Sequence, residues 1–339
     1  MIAIHHRKNS FSEQWIEYCK TNKVSYKIVN CFSEDIIHDI EGCTALMWHW
    51  HHNDYKSTLF ARQLTLSLEL SGTKVFPDTN TAWHFDDKLG QKYLFDATGI
   101  PAIETHIFFD KSEALFWAEH ASYPKVFKLR VGSGSEQVIL VRGLRAAKSI
   151  INKAFSSGFA KRSRINFLSE RVWHFKRDKT LKSFFNISRG LARLLIPTKI
   201  EQDFPPEKNY AYFQDFIPDN DHDIRVIVIG NRAFGIKRPV RANDFRASGS
   251  GNIIHDPDQI PHKCITMAFE AVNVLKTQCL AFDFVFIDKS PVVIEISYAF
   301  SMGGYHDCPG YWDQDLKWFE GKFIPEHFMI EDILQDSKS

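Results

Sequence analysis

Hydrophobic and polar positions alternate most plainly over residues 279–298, CLAFDFVFIDKSPVVIEISY. The pattern predicts two strands joined by the turn Asp288-Lys289-Ser290-Pro291. One parity carries Phe282, Phe284, Phe286, Val292, Ile294 and Ile296; the other carries Asp283, Glu295 and Ser297. Pairing Ile287 with Pro291, or Phe286 with Val292, sets Asp283 directly opposite Glu295 on one face. Two converging carboxylates are costly unless a cation lies between them, and hard oxygen ligands suit Mg²⁺. A solvated polar face is the plainer explanation, and the pairing alone favours it.

Residues 1–78 alternate strand and helix. Strands are predicted at 2–5, 24–30, 45–50 and 74–76, and helices at 11–20 and 54–70, the second with apolar Leu59, Leu66 and Leu70. That order predicts a small parallel α/β unit, and the absence of GxGxxG removes a dinucleotide fingerprint. Its third strand ends in His49, His51 and His52, where open α/β sheets present ligand-binding residues. These histidines admit a metal site, a substrate contact through His49 and His51, or an ordinary surface cluster. Adjacent strand positions point apart, so the metal is the least favoured and the surface cluster the most.

Residues 79–122 read as helix, loop, strand, helix, with Lys88 following two acids and a Gly99-Ile100-Pro101 stop. In 123–141 a strand bearing Lys128 leads through Arg130 into Gly132-Ser133-Gly134-Ser135 and a second strand. Backbone N–H groups of such a loop can cradle phosphate, although no GK[ST] opens a helix here and a plain flexible hairpin turn carries the same residues. Residues 210–238 give a strand, an acidic loop and a hairpin turning at Gly230-Asn231, with Arg225, Lys237 and Arg238 on its strands. A second Gly/Ser loop, 244–252, contains Arg246. A helix at 260–276 leads into the hairpin of 279–298, and the aromatic, turn-rich stretch from Cys308 is expected to cover an edge of the last domain.

Charge changes the picture at one place. The chain is +1 overall, so no global field selects a partner or a nucleic acid. Segment 161–199, however, holds eleven Lys/Arg against two acids, a net +9 that leaves −8 for the remainder. Leu181, Phe184, Phe185, Leu191 and Leu195 share one helical face there. Such a helix can lie on an anionic membrane surface or polymer, or dock on its own domain with the basic side in water; the second is favoured. With 44% apolar residues and 29 Phe the chain can build real cores. No run of about 18 apolar residues predicts a membrane span, and the start at Met1 lacks a signal-peptide h-region. Six Cys without CxxC point to reduced thiols in the cytoplasm.

Order and spacing of these pieces resemble the ATP-grasp superfamily, over about residues 80–300. Asp87-Lys88 precedes Gly-Ile-Pro, and Lys128 precedes a Gly/Ser loop. Gln214-Asp215-Phe216-Ile217 is similar to the adenine strand, where Glu is more usual than Gln. Asp223-Ile224-Arg225 and Phe245-Arg246 are similar to motifs of ribosomal-protein glutamate ligases. Asp283 and Glu295 match their metal carboxylates at the same spacing of twelve. The sequence departs from those ligases at Ser297 and Ser248, where they usually carry Asn. The ISYAF and CPGYWD ending resembles a subgroup associated with bacterial surface-polysaccharide genes.

The resemblance implies an α/β protein of three parts: a parallel N-terminal domain at 1–78, then two α+β subdomains, 79–209 and 210–339, clamping ATP. It implies that Lys88, Lys128 and the Gly132–Ser135 loop bind phosphates, that Gln214, Phe216 and Ile217 read adenine, and that Asp223 holds the ribose. Asp283, Glu295 and Ser297 would bind Mg²⁺, and Arg225, Arg238 and Arg246 would stabilise charge in phosphoryl transfer. The activity implied is a carboxylate–amine ligase acting through an acylphosphate, with a kinase or a non-catalytic nucleotide-binding module as alternatives. No covalent nucleophile is required, so the lack of a Ser/His/Asp constellation is no objection.

Overall fold

The computed structural model describes residues 1–132, 138–161, 202–240, 246 and 252–335. They fold into two compact units. The first comprises Met1–Phe85, Leu94–Ala102 and Asp219–Ser339; the second comprises Asp86–Tyr93 and Ile103–Pro218. The basic segment lies outside the described residues except for Lys161, as do Ser133, Gly134, Ser135 and Ser248.

The first unit opens with strands β1 (Ile2–His5), β2 (Tyr26–Val29), β3 (Ala45–Met47) and β4 (Lys74–Phe76). They form the expected parallel sheet, in the order β2-β1-β3-β4. Helices α1 (Phe11–Thr21), α2 (Ile36–Asp39), α3 (Tyr55–Leu70) and α4 (Thr79–Ala82) connect and follow the strands. Ser10 caps α1 by accepting from the Ser12 N–H. The face of α3 departs from expectation. Leu59, Leu66 and Leu70 are exposed at 61%, 43% and 81%, and the buried stripe is Ser57, Ala61, Leu64, Thr65 and Leu68. Both stripes have helical spacing, and the one with small residues packs inward.

The second unit contains α5 (Lys88–Thr98, whose last turns belong to the first unit), β5 (Thr105–Phe108), α6 (Lys111–His120), β6 (Lys125–Phe127), β7 (Ile139–Val141), α7 (Leu144–Ala154) and β8 (Ala211–Asp215). Its sheet is antiparallel, in the order β5-β8-β6-β7. Ala118, Ala147 and Ile151 of the helices pack on Phe127 and Phe213. The adenine-like strand of the sequence reading is thus β8, an inner strand of this sheet.

The first unit resumes with β9 (His222–Ile229), β10 (Arg232–Pro239), α8 (His262–Leu275), β11 (Cys279–Ile287), β12 (Ser290–Ser297), β13 (Gly310–Trp312), β14 (Trp318–Glu320) and α9 (Pro325–Gln335). The strands make an antiparallel sheet in the order β12-β11-β9-β10-β13-β14, so the aromatic tail extends its β10 edge. One face packs Val226, Val228, Phe282 and Phe284 on Ile265 and Phe269 of α8. The other face packs Ile227, Ile229, Ala281 and Phe234 in one cluster with Ile2, Ile4 and Met47 of the parallel sheet and with Trp15 of α1. Residues 1–85 and 219–335 therefore share a core.

The β11–β12 hairpin reaches the expected Asp283–Glu295 pairing by another route. Its turn is two residues, Asp288 and Lys289, at φ 49° and 64°, the left-handed pair a tight hairpin requires. Ile287 pairs with Ser290 and Phe286 with Pro291, one residue off the predicted register. A β-bulge at Ile294 absorbs the extra residue, after which Asp283 faces Glu295. Its consequence is a swap of faces. Val293, opposite Phe284, is core, whereas Val292, opposite Val285, is half-buried. Pro291 is tolerated because β12 is the edge strand.

The bulge makes a testable distinction. Val293→Thr buries a hydroxyl in the α8 face and should cost about 1–3 kcal/mol in urea unfolding. Val292→Thr should stay within about 0.5 kcal/mol. Equal costs would refute the bulge.

Candidate active site

Along β9, β10 and β11 the inward face changes from apolar to charged. On β9, Ile229 and Ile227 give way to Arg225 and Asp223; on β11 Ala281 gives way to Asp283, and on β10 Ile236 to Arg238, each step two residues on the same face. Register fixes the neighbours: Asp283 lies between Glu295 of β12 and Arg225 of β9, and Asp223 lies opposite Arg238 of β10. Arg225 Nε and Nη2 donate to the two Asp283 oxygens at 2.5 and 2.6 Å. Arg238 Nε and Nη2 donate to the two Asp223 oxygens, both at 2.7 Å, and Arg238 Nη2 also lies 3.0 Å from Asp283 Oδ1. Tyr305, buried beside Phe234 and Phe300, accepts from Arg225 Nη1 at 3.2 Å.

Burial alone would raise the Asp283 carboxyl, but Arg225 and Arg238 outweigh it and hold it well below the usual carboxylate range. Burial lifts Asp223 above its ordinary value against the pull of Arg238, with the Asp283 charge adding to the lift. Asp283 is thus fixed as an anion. About four lone-pair positions are available on a carboxylate; three contacts from guanidinium groups already occupy Asp283. Ser297 is on the same strand face as Glu295, and its hydroxyl donates to the Ala299 carbonyl at 2.8 Å.

The second unit gathers another set. Lys88 opens α5, and its ammonium donates to the Gly132 carbonyl at 2.8 Å. The Gly132 N–H donates to Asp86 Oδ1 at 2.7 Å, so both backbone groups of Gly132, at φ 121°, are tied to the start of α5. Arg130 bridges Asp87 and Glu207, each at 3.2 Å, and its N–H donates to the Tyr210 hydroxyl at 2.7 Å. Lys128 follows β6 and is buried. Gln214 on β8 is buried, and its amide donates to the Tyr212 hydroxyl at 2.9 Å. Phe216 and Ile217 follow β8, half-buried. Of residues 241–251 only Arg246 is described, also half-buried.

The histidines are not a surface cluster. His49 and His52 are buried, at 6% and 8% exposure. His49 stacks on Phe11 with ring centroids 3.8 Å apart, and its Nδ1 accepts the Phe11 N–H at 3.1 Å. Burial, with the charge of Arg7 nearby, pushes its pKa well below the ordinary histidine value. A neutral imidazole accepting at Nδ1 carries its proton at Nε2 and offers a metal no lone pair. His51 Nδ1 likewise accepts, from the Asn53 N–H at 3.1 Å. Among the described residues no group of three or more His, Cys, Asp or Glu is placed to hold a metal ion.

The structure thus brings together Arg225, Arg238, Asp223, Asp283 and Glu295 on one face, and Lys88 with Gly132 at another. Sequence reasoning missed Tyr305 and the Asp86, Asp87, Arg130, Glu207, Tyr210 network. The two acids before Lys88 were a visible signal for the latter; nothing in the sequence marked Tyr305.

Residues 193–306 match the RimK-like ATP-grasp domain. No curated protein matches the chain. Among solved structures, it is similar to the RimK-domain ATP-grasp protein of Sphaerobacter thermophilus DSM 20745, at 16% identity, 98% coverage of each chain and a TM-score of 0.57. It is similar to the D-alanine–D-alanine ligase of Bacillus anthracis, at 13% identity, covering 99% of this chain and 98% of that one, with a TM-score of 0.56. It is also similar to the biotin carboxylase domain of the Hydrogenobacter thermophilus 2-oxoglutarate carboxylase, solved with MgADP and bicarbonate, at 11% identity, 97% and 68% coverage and a TM-score of 0.57. The fold is the ATP-grasp fold.

His49 sets a pH dependence. Unfolded, its pKa is about 6.5; folded, it is lower. As pH falls below about 6.5 the unfolded chain binds the proton first, so stability is lost, by up to about 1.4 kcal/mol per pH unit. His49→Phe should flatten this slope below about pH 6.5. Identical slopes by denaturant titration would show that His49 protonates normally.

Proposed function

We propose that this chain, which has the ATP-grasp fold, is an ATP-dependent carboxylate–amine ligase that releases ADP and phosphate. The observation that carries the reading is the directly opposed pair Asp283 and Glu295, set beside Arg225 and Arg238 inside the stretch that matches the RimK-like domain. A carboxylate would take the γ-phosphoryl group of ATP as an acylphosphate, and an amine would displace phosphate to form the amide. Lys88, Lys128 and the loop from Gly132 are the phosphate-binding residues of this reading; Gln214, Phe216 and Ile217 are those for adenine.

The donor set suits Mg²⁺ with nucleotide. Asp283 is held ionised and Glu295 faces it, which gives the hard oxygens such an ion takes. When bound, the ion would neutralise phosphate charge. Arg225 would stay fixed by Asp283 and Tyr305, with Arg238 fixed by Asp223, so that both guanidiniums meet developing charge without reorganising. Asp223, expected at the ribose, serves Arg238 in this arrangement.

A finer reading extends the acid or amine to a surface polysaccharide or its precursor and gives the +9 segment an anionic polymer or membrane surface to hold. It rests on the ISYAF and CPGYWD ending and on charge. A cytoplasmic location fits ATP supply and six free thiols. No helix among the described residues is long and apolar enough to cross a membrane.

ADP release, screened over carboxylate and amine pairs, tests the reaction; a stable phosphorylated product without amide would instead indicate a kinase. Glu295→Gln should lower ADP formation by roughly two orders of magnitude or more, and chelation should abolish it until Mg²⁺ is restored. Full turnover in Glu295→Gln would overturn the assignment. Asp283→Asn is a different test, because it leaves the buried Arg225 guanidinium without its carboxylate. It should destabilise the fold by about 3–5 kcal/mol as well as remove activity. An unchanged unfolding midpoint would contradict the role of Asp283 as the anchor of Arg225.

A further inference from the structure

The order β2-β1-β3-β4 places a topological switch point between β1 and β3, the position where open α/β sheets bind ligands outside the strand carboxyl ends. Ile4 pairs with Met47, so the residues leaving the two strands, from His5 to Arg7 and from Trp48 to Trp50, emerge side by side. Both stretches are tied to the first turn of α1. The Arg7 N–H donates to the Ser12 hydroxyl at 3.0 Å, and the Phe11 N–H donates to His49 Nδ1. The second bond fixes the His49 tautomer and leaves the Nε2–H as a donor.

That donor is unmet. His49 Nε2, Arg7 Nε and Trp50 Nε1 are all buried, and no acceptor among the described residues reaches them. The nearby acid, Asp54, already accepts from the Ser57 hydroxyl at 2.6 Å. Tyr298, edge-on to the His49 ring, donates its hydroxyl to the Trp50 carbonyl at 2.8 Å. His49 Nε2 and Arg7 Nε, two buried donors on the α1 side of the strand ends, whose one nearby acid, Asp54, is already engaged, call for an acceptor with several oxygens and a negative charge. A metal is excluded at His49 by the tautomer.

We propose that Arg7 and His49 form an oxyanion-binding subsite that takes a carboxylate or phosphate group. The segment from Ser297 to Tyr305 links it to the charged row. Tyr298 stands against His49, Phe300 packs on Phe11 with centroids 5.0 Å apart, and Tyr305 holds Arg225. The bound oxyanion is a second anionic group of the acid substrate, away from the carboxylate that reacts. This last step rests on the ligase reading; oxyanion binding itself does not.

The test uses the full chain without nucleotide. Inorganic phosphate and succinate are titrated separately at constant ionic strength, following heat of binding and the His49 Nε2–H resonance. Saturable binding of one or both is expected, with the His49 proton moving in step. The tighter of the two probes identifies a phosphate or a carboxylate group. Arg7→Gln should weaken binding about tenfold or more, and His49→Phe, which keeps a ring on Phe11, should do likewise. The dissociation constant for ATP should be unchanged in both. Absence of saturable binding by the unmodified protein, or binding of wild-type affinity in Arg7→Gln, overturns the subsite. The unmodified protein and Arg7→Gln decide the matter even where His49→Phe fails to fold. Because ADP formation is not read, failure here leaves the ligase reading standing, and failure of that reading leaves anion binding to be seen.

Discussion

Asp283 is the residue on which the charged face depends. It is the single ionised side chain of β11, a strand buried over most of its length on both faces. A lone carboxylate there would neutralise itself by protonation. Two guanidinium groups prevent this, and in return the carboxylate keeps Arg225 and Arg238 in an interior that neither would occupy unpaired. Arg238 is committed further, to Asp223, and Arg225 to Tyr305. Asp223, Arg225, Arg238 and Asp283 thus each have a rotamer fixed by at least one neighbour before any ligand arrives, and the sheet register fixes where the row begins.

The row is also joined to the rest of the first unit. Moving from Asp283 to Ala281, or from Arg225 to Ile227, passes from ion pairs into the cluster that contains Ile4, Trp15 and Met47. The parallel sheet and the charged strands are then one rigid context, with the aromatic residues Phe300 and Tyr305 filling the transition. The N-terminal sheet therefore does more than precede the other parts in sequence. It supplies the apolar wall that ends where the charges start.

How much of this was legible follows from what a one-dimensional pattern contains. Period two gave the β11 and β12 strands and the shared face of Asp283 and Glu295, and the Gly230-Asn231 turn gave the β9–β10 hairpin. The bulge at Ile294 was not legible, because an inserted residue leaves no mark in a run of Val and Ile that is apolar on either parity. The α3 stripe was misplaced because two stripes share helical spacing, and the choice between them is made by the sheet beneath. Burial of His49 was not legible, because the ring it stacks on, Phe11, lies 38 residues away in sequence. The Arg225, Arg238 and Tyr305 contacts join strands and loops 15 to 80 residues apart. Candidate residues there were recognisable by type, whereas the pairing that defines their roles is a property of register.

The charge on the row limits what it can accept. Asp223 and Arg238 cancel, as do Asp283 and Arg225, and Glu295 adds a negative charge at the edge of the row. A divalent cation arriving alone would approach Asp283 against two guanidiniums, with most of that carboxylate's lone pairs already engaged. A polyphosphate arriving alone would find the guanidiniums but would also meet the carboxylates. Cation and phosphate together would satisfy both: Asp283 and Glu295 would offer their remaining oxygens to the cation, and Arg225 and Arg238 would offset phosphate charge. On the ligase reading, then, the row would suit the metal–nucleotide complex better than either part, because the ion pairs that stabilise Asp283 in the interior also engage most of its oxygens.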